Sequence, residues 1–345
     1  MSTTKPRSAD LQDFRPAAQP SAAMSFESVK QLVAEDLRDV DRVIRQRLAS
    51  DVELVNQVAE YIVGSGGKRL RPLVTVVASR ACGSTHSQHA EAAAIIEFIH
   101  TATLLHDDVV DGSQLRRGRD TANSVWGNEA SVLVGDYVYS RAFEMMVSLG
   151  NMRIMDIMAS ATNKIAEGEV LQLMNAHDPE TTEQRYFEVI YRKTAKLFEA
   201  GAQIAALLAN ATPAIEAAMS QYGKHLGTAF QLIDDVLDYR ADRGELGKNL
   251  GDDLAEGKPT LPLIYALKHG SPQQRTAIEH SIREGSTAEL ASITAAIEST
   301  GGLAYTARLA RREATAAIES LAELPNSAYK QALRDLADFS VERSH

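Results

Sequence analysis

The spacing of the helix breakers constrains this chain most. Glycine and proline number only 21 and 10 among 345 residues. They gather at residues 64–67, 112–118, 150, 177–179, 211–213, 244–251, 257–262, 269–272 and 301–302. The intervals between them run to roughly 12 to 30 residues, which suits helices and is too long for strands. From about Ser25 the apolar residues recur at helical period. Val29, Leu32 and Val33 share one face, followed by Leu37, Val40 and Ile44. Alternating runs with hairpin turns are absent from the sequence, as are short repeats. The pattern predicts a single all-α domain over residues 25–345, with roughly ten or more helices. Residues 1–24 carry Pro6, Pro16 and Pro20 among Ser, Thr and Ala, and are expected to form a disordered tail.

Composition narrows the function. With 44% hydrophobic and 24% charged residues, the chain has ample material for a packed core. A net charge of −10 argues against a general nucleic-acid binder, which needs a basic face. The single cysteine, Cys82, rules out an intrachain disulfide and a Cys-cluster metal site. Apolar runs fall short of the ~20 residues that a membrane-spanning helix needs. Apolar residues do not follow the first basic ones as they would in a secretory signal, and Asp10 and Asp13 weaken a transit-peptide reading. A cytoplasmic location is expected.

One motif occurs twice. Asp107-Asp108-Val109-Val110-Asp111 and Asp234-Asp235-Val236-Leu237-Asp238 share a spacing, and each follows a long apolar helical stretch. On a helix, Asp107 and Asp111 point the same way, with Asp108 turned by about 100°. Such i,i+4 carboxylates repel by about 0.2–0.5 kcal/mol per pair, and Asp is a poor helix former. Hard divalent cations compensate for this. Mg2+ takes one or two carboxylates and fills its shell with water and substrate phosphates. A solvated acidic helix end explains one copy of the motif but not two. His100 and Thr103 extend the first stripe upstream, and Gln231 extends the second. Gly223 and Gly227 precede the second motif inside the helix, at a cost of about 1 kcal/mol each relative to Ala, so close packing or room for a ligand is expected there.

A basic complement accompanies the acidic pair. Gly66-Gly67-Lys68-Arg69-Leu70-Arg71-Pro72 is a glycine turn carrying three cations before a helix. Such turns offer free N–H groups to phosphate, and arginine adds a bidentate fork. Arg116 and Arg117 follow the first acidic motif, Lys193 and Thr194 lie in an apolar helical stretch, and Lys248 and Lys258 follow the second motif. In an acidic chain this points to small polyanions, one anion held through metal and another by bare cations.

Together these motifs resemble the trans-type isoprenyl diphosphate synthases, the polyprenyl synthetase family. The carriers are residues 66–72, Leu104-Leu105-His106 running into the first acidic motif, Arg116-Arg117-Gly118, Gly135-Asp136-Tyr137 and Lys193-Thr194. The run of residues 231–238, then Gly247-Lys248-Asn249 and residues 257–262, completes them. The likeness covers most of residues 30–340 and is nearest the long-chain octaprenyl type. It implies an antiparallel helix bundle around a deep central cavity, usually a homodimer. It also implies Mg2+-dependent condensation of isopentenyl diphosphate onto an allylic diphosphate such as farnesyl diphosphate, for quinone side chains. Asp107, Asp111 and Asp234 would hold about three Mg2+ with substrate bound, supported by Asp108 and Asp235. Arg116, Lys193, Lys248 and Lys258 would grip the allylic diphosphate, with Thr194 and Gln231 facing the reacting carbons. Lys68, Arg71, His100 and Arg117 would hold isopentenyl diphosphate without metal.

Chain length is expected to depend on Ala102 and Thr103, one turn before Asp107, where short-chain relatives are implied to carry aromatic residues. The tunnel would then pass Ile99 and Ile95 toward Ile96 and Ala92, with Tyr139, Phe143 and Met146 as a second wall, giving a product of roughly C30–C50, near C40. Three other readings fit less well. A non-catalytic subunit of a heteromeric synthase should have lost carboxylates or basic residues, a terpene cyclase does not need the isopentenyl site, and a helical scaffold leaves the paired motifs unexplained.

Overall fold

A computed structural model describes residues 25–64, 66–116, 118–240 and 251–343. Its helices are α1 (Phe26–Leu32), α2 (Ala34–Leu48), α3 (Glu53–Gly64), α4 (Leu70–Ala81), α5 (Gln88–Val110), α6 (Ala122–Trp126), α7 (Asn128–Ser148), α8 (Met152–Asn175) and α9 (Glu183–Ile190). They continue with α10 (Lys196–Leu208), α11 (Pro213–Leu237), α12 (Asp252–Ala255), α13 (Leu261–His269), α14 (Pro272–Glu284), α15 (Leu290–Thr300), α16 (Gly302–Ser320) and α17 (Ala328–Glu342). The expected all-α class holds. Among the described residues the strands are β1 (Leu115–Arg116) and β2 (Arg119–Asp120), a two-residue antiparallel pair. The breaker clusters fall between helices as expected. Most of the 244–251 break, together with Lys248, Arg117 and the 1–24 tail, lies outside the described residues.

Two long helices form the centre. Helix α5 packs against α7, α4, α2 and α10, and α11 packs against α10 and α16. Ala92, Ala93, Ala94, Ile95 and Ile96 of α5 are all fully buried, so this stretch is surrounded rather than amphipathic. Helix α11 starts at a Thr212 cap that accepts from the Ile215 N–H, with Pro213 in its first turn.

Helices α9 and α10 form one rod interrupted by a π-helical turn at Tyr191–Ala195. The extra residue in such a turn re-aims neighbouring side chains. Lys193 and Thr194 sit in it. The turn is clasped on two sides by glycines. A Cβ on Gly168 of α8 would lie 2.8 Å from the Lys193 nitrogen, and one on Gly227 of α11 would lie 2.6 Å from Ala195 Cα. Gly223 meets the Phe198 carbonyl in the same way. The interior glycines of α11 therefore serve close helix packing.

Candidate active site

Each acidic motif forms the last turn of its helix, with Asp111 and Asp238 as the C-caps of α5 and α11. Carboxylates there oppose the negative end of the helix dipole as well as one another, so both turns depend on outside positive charge.

At the first motif the three carboxylates separate as the helix geometry requires. Asp107 and Asp111 line a cavity of about 740 Å3. Asp108 is fully buried on another face, where its Oδ1 accepts from Arg116 at 2.8 and 2.5 Å. Arg116 is thus a partner of Asp108 in this structure. Lys193 lies 3.4 Å from Asp107 and 2.5 Å from Glu169. Lys258 lies 3.0 Å from Asp111 and also pairs with Glu256. With its amide oxygen turned toward them, Gln172 accepts from Lys193 and Lys258 at 3.2 Å each. Burial raises Asp107 above the usual carboxylate range, Lys193 opposes that, and Asp111 adds to it. Burial and Asp107 push Glu169 up to about 7, against the pull of Lys193.

At the second motif Asp234 pairs with Arg343 at 2.7 Å. The Arg343 guanidinium lies over the Phe230 ring, 3.7 Å from its centroid, and the Phe230 and Phe198 rings are 5.8 Å apart. Arg71 lies over Phe198 at 4.7 Å and donates to His100 Nε2 at 3.1 Å. Burial lowers the Lys68 ammonium, as does Arg343, while Asp234 raises it. Arg71 and Arg343 thus lie over the tilted Phe198–Phe230 ring pair beside Asp234, with His100 bonded to Arg71 and Lys68 over the Phe339 ring, and together they form a basic shelf. Arg69 of the same glycine turn faces elsewhere, pairing with Asp41 of α2.

The π-helical turn joins the two halves. Lys193 reaches Asp107, while the next residue, Thr194, donates to Gln231 at 2.9 Å. Gln231 donates to Asp235 at 2.8 Å, and Tyr186 donates to the other Asp235 oxygen at 2.5 Å. Burial and Asp253 push Asp235 up to about 8, and the bonds from Tyr186 and Gln231 oppose the shift. Asp235 is therefore a buried anchor, whereas Asp234 keeps a half-exposed carboxylate.

The cavity wall includes some of the residues expected to set chain length and not others. Ile99 and Thr103 of α5 and Tyr139 of α7 line the cavity, joined by Thr162, Ile165 and Ala166 of α8. Ala102, Met146, Ile95, Ile96 and Ala92 do not line it and are at most 1% exposed in the core. For Ala102 the reason is rotation, whereas Ile95, Ile96 and Ala92 lie further back in the fully buried stretch of α5. Adjacent helical residues differ by about 100°, so Ala102 turns away from the face that carries Ile99, Thr103 and Asp107.

The acidic turns fit a hard divalent cation. Among the described residues no group of three His, Cys, Asp or Glu side chains could hold a metal. Mg2+ bound by two carboxylates and completed by substrate phosphates needs no such group. Asp107 and Asp111 share one wall and are neutralised in this structure by Lys193 and Lys258, which are themselves suited to phosphate.

Glu169, Gln172, Tyr186, Glu256 and Arg343 were not anticipated. For Glu169 and Gln172 a signal exists: they interrupt the apolar face that Thr162, Ile165, Ala166 and Leu173 present to the cavity. Near-terminal Arg343 carries no local pattern.

Comparison with known proteins gives concordant results. Residues 52–299 match the model of the family described as Polyprenyl synthetase. Octaprenyl diphosphate synthase of Escherichia coli (strain K12) is 52% identical over 321 residues, covering 93% of this chain and 99% of that protein. All-trans-nonaprenyl-diphosphate synthase (geranyl-diphosphate specific) of Rhodobacter capsulatus is 46% identical, covering 90% of this chain and 96% of that one. A crystal structure of polyprenyl synthase from Caulobacter crescentus CB15, complexed with calcium and isoprenyl diphosphate, superposes with a TM-score of 0.90 at 45% identity, covering 94% of this chain and all of that one.

Proposed function

Because the chain belongs to the polyprenyl synthetase family, we propose that its two acidic turns and the π-helical turn between them form one prenyl-transfer site. The protein is a prenyltransferase that makes long-chain all-trans polyprenyl diphosphates. It adds isopentenyl diphosphate successively to an allylic primer such as farnesyl diphosphate, ending at about C40, the length named for the Escherichia coli relative.

The observation that carries this reading is the double reach of the π-helical turn, with Lys193 on Asp107 and Thr194 on Gln231. It sets the cations that meet an allylic diphosphate next to the dipoles that meet its reacting carbon. Asp107, Asp111 and Asp234 would hold Mg2+, about three ions with substrate bound, with Asp108 and Asp235 supporting them from behind. Bound there, the metal supplies charge neutralisation on the leaving diphosphate.

The chain's own residues do the rest. Lys193 and Lys258 attract the allylic diphosphate and stabilise the charge that grows on its leaving oxygen. Arg116 and Lys248 complete that grip. Lys68, Arg71 and His100 hold isopentenyl diphosphate on the basic shelf, and Arg117 is assigned to the same substrate from its motif. The Thr194 oxygen, backed by Gln231, faces the allylic carbon as it turns positive. The C=C bond of isopentenyl diphosphate attacks that carbon, a C–C bond forms, and a proton leaves to the departing diphosphate. Ile99, Tyr139 and Ile165 keep water away and receive the growing tail.

Exposed Leu133, Val147 and Met152, on α7 and at the start of α8, support a homodimer. No helix among the described residues is long and apolar enough to cross a membrane. The test is product chromatography with labelled isopentenyl diphosphate. Chains near C40 are expected with Mg2+ present, and a protein that never extends the primer contradicts the proposal.

A further inference from the structure

The proposed reaction uses Thr194 and Gln231 at the reacting carbon, and the structure extends that pair into a chain of hydrogen bonds ending on Tyr186. The chain runs Thr194 to Gln231 (2.9 Å), Gln231 to Asp235 (2.8 Å) and Tyr186 to Asp235 (2.5 Å). It ties three elements together: Tyr186 from α9, Thr194 from the π-helical turn, and Gln231 and Asp235 from α11. Tyr186, Thr194 and Asp235 are 6%, 7% and 2% exposed, so water offers little alternative partnership.

The hydrogen bonds themselves give the sense of the chain. Asp235 accepts the Tyr186 O–H on one oxygen and the Gln231 amide N–H on the other. That leaves the Gln231 oxygen facing Thr194, so the Thr194 hydroxyl donates to it. The lone pairs of Thr194 are then left for the other side. This polarity suits a carbon that becomes positive, because preorganised dipoles act where charge develops. An Asp235 free to rotate would let the Gln231 amide flip, and Thr194 would then present its proton at the same place.

We propose that Tyr186 is a positioning residue of the condensation. Through Asp235 and Gln231 it holds the Thr194 oxygen with its lone pairs toward the developing allylic cation. The same bond keeps Asp235 turned inward while its neighbour Asp234 points out to Arg343. This inference rests on the prenyl-transfer reading above.

Tyr186→Phe tests it. The substitution keeps the ring that meets Phe187 edge-on at 5.5 Å and removes only the hydroxyl. With farnesyl and isopentenyl diphosphates and Mg2+, kcat should fall about tenfold or more while both KM values stay within about twofold, since the group acts on the transition state. A purely structural tyrosine would be rescued by phenylalanine. In a Thr194→Val background, Tyr186→Phe should lower kcat no further, because the oxygen it positions is gone. Wild-type kcat in Tyr186→Phe, or the full loss repeated in the Thr194→Val background, would overturn the proposal. If thermal melting shows Tyr186→Phe unfolded, Asp235→Asn is measured instead, with the same split of kcat and KM expected and wild-type kcat again overturning it. The wild-type protein runs alongside. Failure to extend the primer there sinks the prenyl-transfer reading itself, whereas the positioning role fails when wild type is active and the variants match it.

Discussion

Gly227→Ala places one methyl group against the π-helical turn. The new Cβ would stand 2.6 Å from Ala195 Cα and 3.0 Å from Phe198 Cδ2. Carbon atoms are content at about 3.5–4.0 Å, so the turn has to retreat by about 1 Å. Overpacking of this kind costs about 1–3 kcal/mol. The gain in helix propensity from replacing glycine offsets about 1 kcal/mol of it. A net loss of about 0–2 kcal/mol follows, which lowers Tm by at most a few degrees at about 2–4 °C per kcal/mol or less for a chain of this size. Activity should suffer more. Lys193 and Thr194 ride on the displaced turn, and a ~1 Å misplacement at a reacting centre can cost about 100-fold. Differential scanning calorimetry and steady-state kcat read the two effects separately. Gly64→Ala is the control, because a Cβ there meets nothing within 4 Å and its Tm should not fall. Wild-type kcat in Gly227→Ala would refute the claim that the clasped turn positions the catalytic side chains.

Neighbouring carboxylates should respond in opposite ways. Asp107→Asn should abolish most turnover and leave Tm near wild type, whereas Asp108→Asn breaks a buried pair with Arg116 and should cost about 3 kcal/mol, read by urea unfolding. Glu169 offers a pH test in metal-free protein. Its folded-state carboxyl is raised from 4.5 to about 7, so the folded form binds the extra proton and stability falls as pH rises between those values. Glu169→Gln should flatten that fall in pH-dependent melts, and an unchanged slope would contradict it. Thr103→Phe should narrow the cavity and shorten the product, while Ala102→Tyr should chiefly lower Tm by overpacking the core, as chromatography and melting would show.

Much of this was legible in the residues, for reasons that also mark where legibility stopped. Breaker spacing gave the helices because local backbone chemistry decides where a helix ends. Helical phase alone separated Asp107 and Asp111 from Asp108. The same phase argument, applied more strictly, keeps Thr103 on the cavity wall and removes Ala102 from it. Other features depend on contacts between distant segments. Arg343 meets Asp234 only because α17 folds back on α11, and Phe198 and Phe230 meet, with tilted rings, only because α10 packs against it. The π-helical turn has no compositional mark. Gly168 and Gly227 became informative as a pair once α8 and α11 were seen to close on it.

The central claim is that the paired acidic turns carry out repeated prenyl transfer. It is tested most directly by incubating the purified protein with labelled isopentenyl diphosphate and farnesyl diphosphate and resolving the chain lengths formed. With Mg2+ the products should accumulate near C40, the length named for the Escherichia coli relative, and excess EDTA should prevent any extension. Products stopping at C15 or C20, or full extension in excess EDTA, would contradict the account.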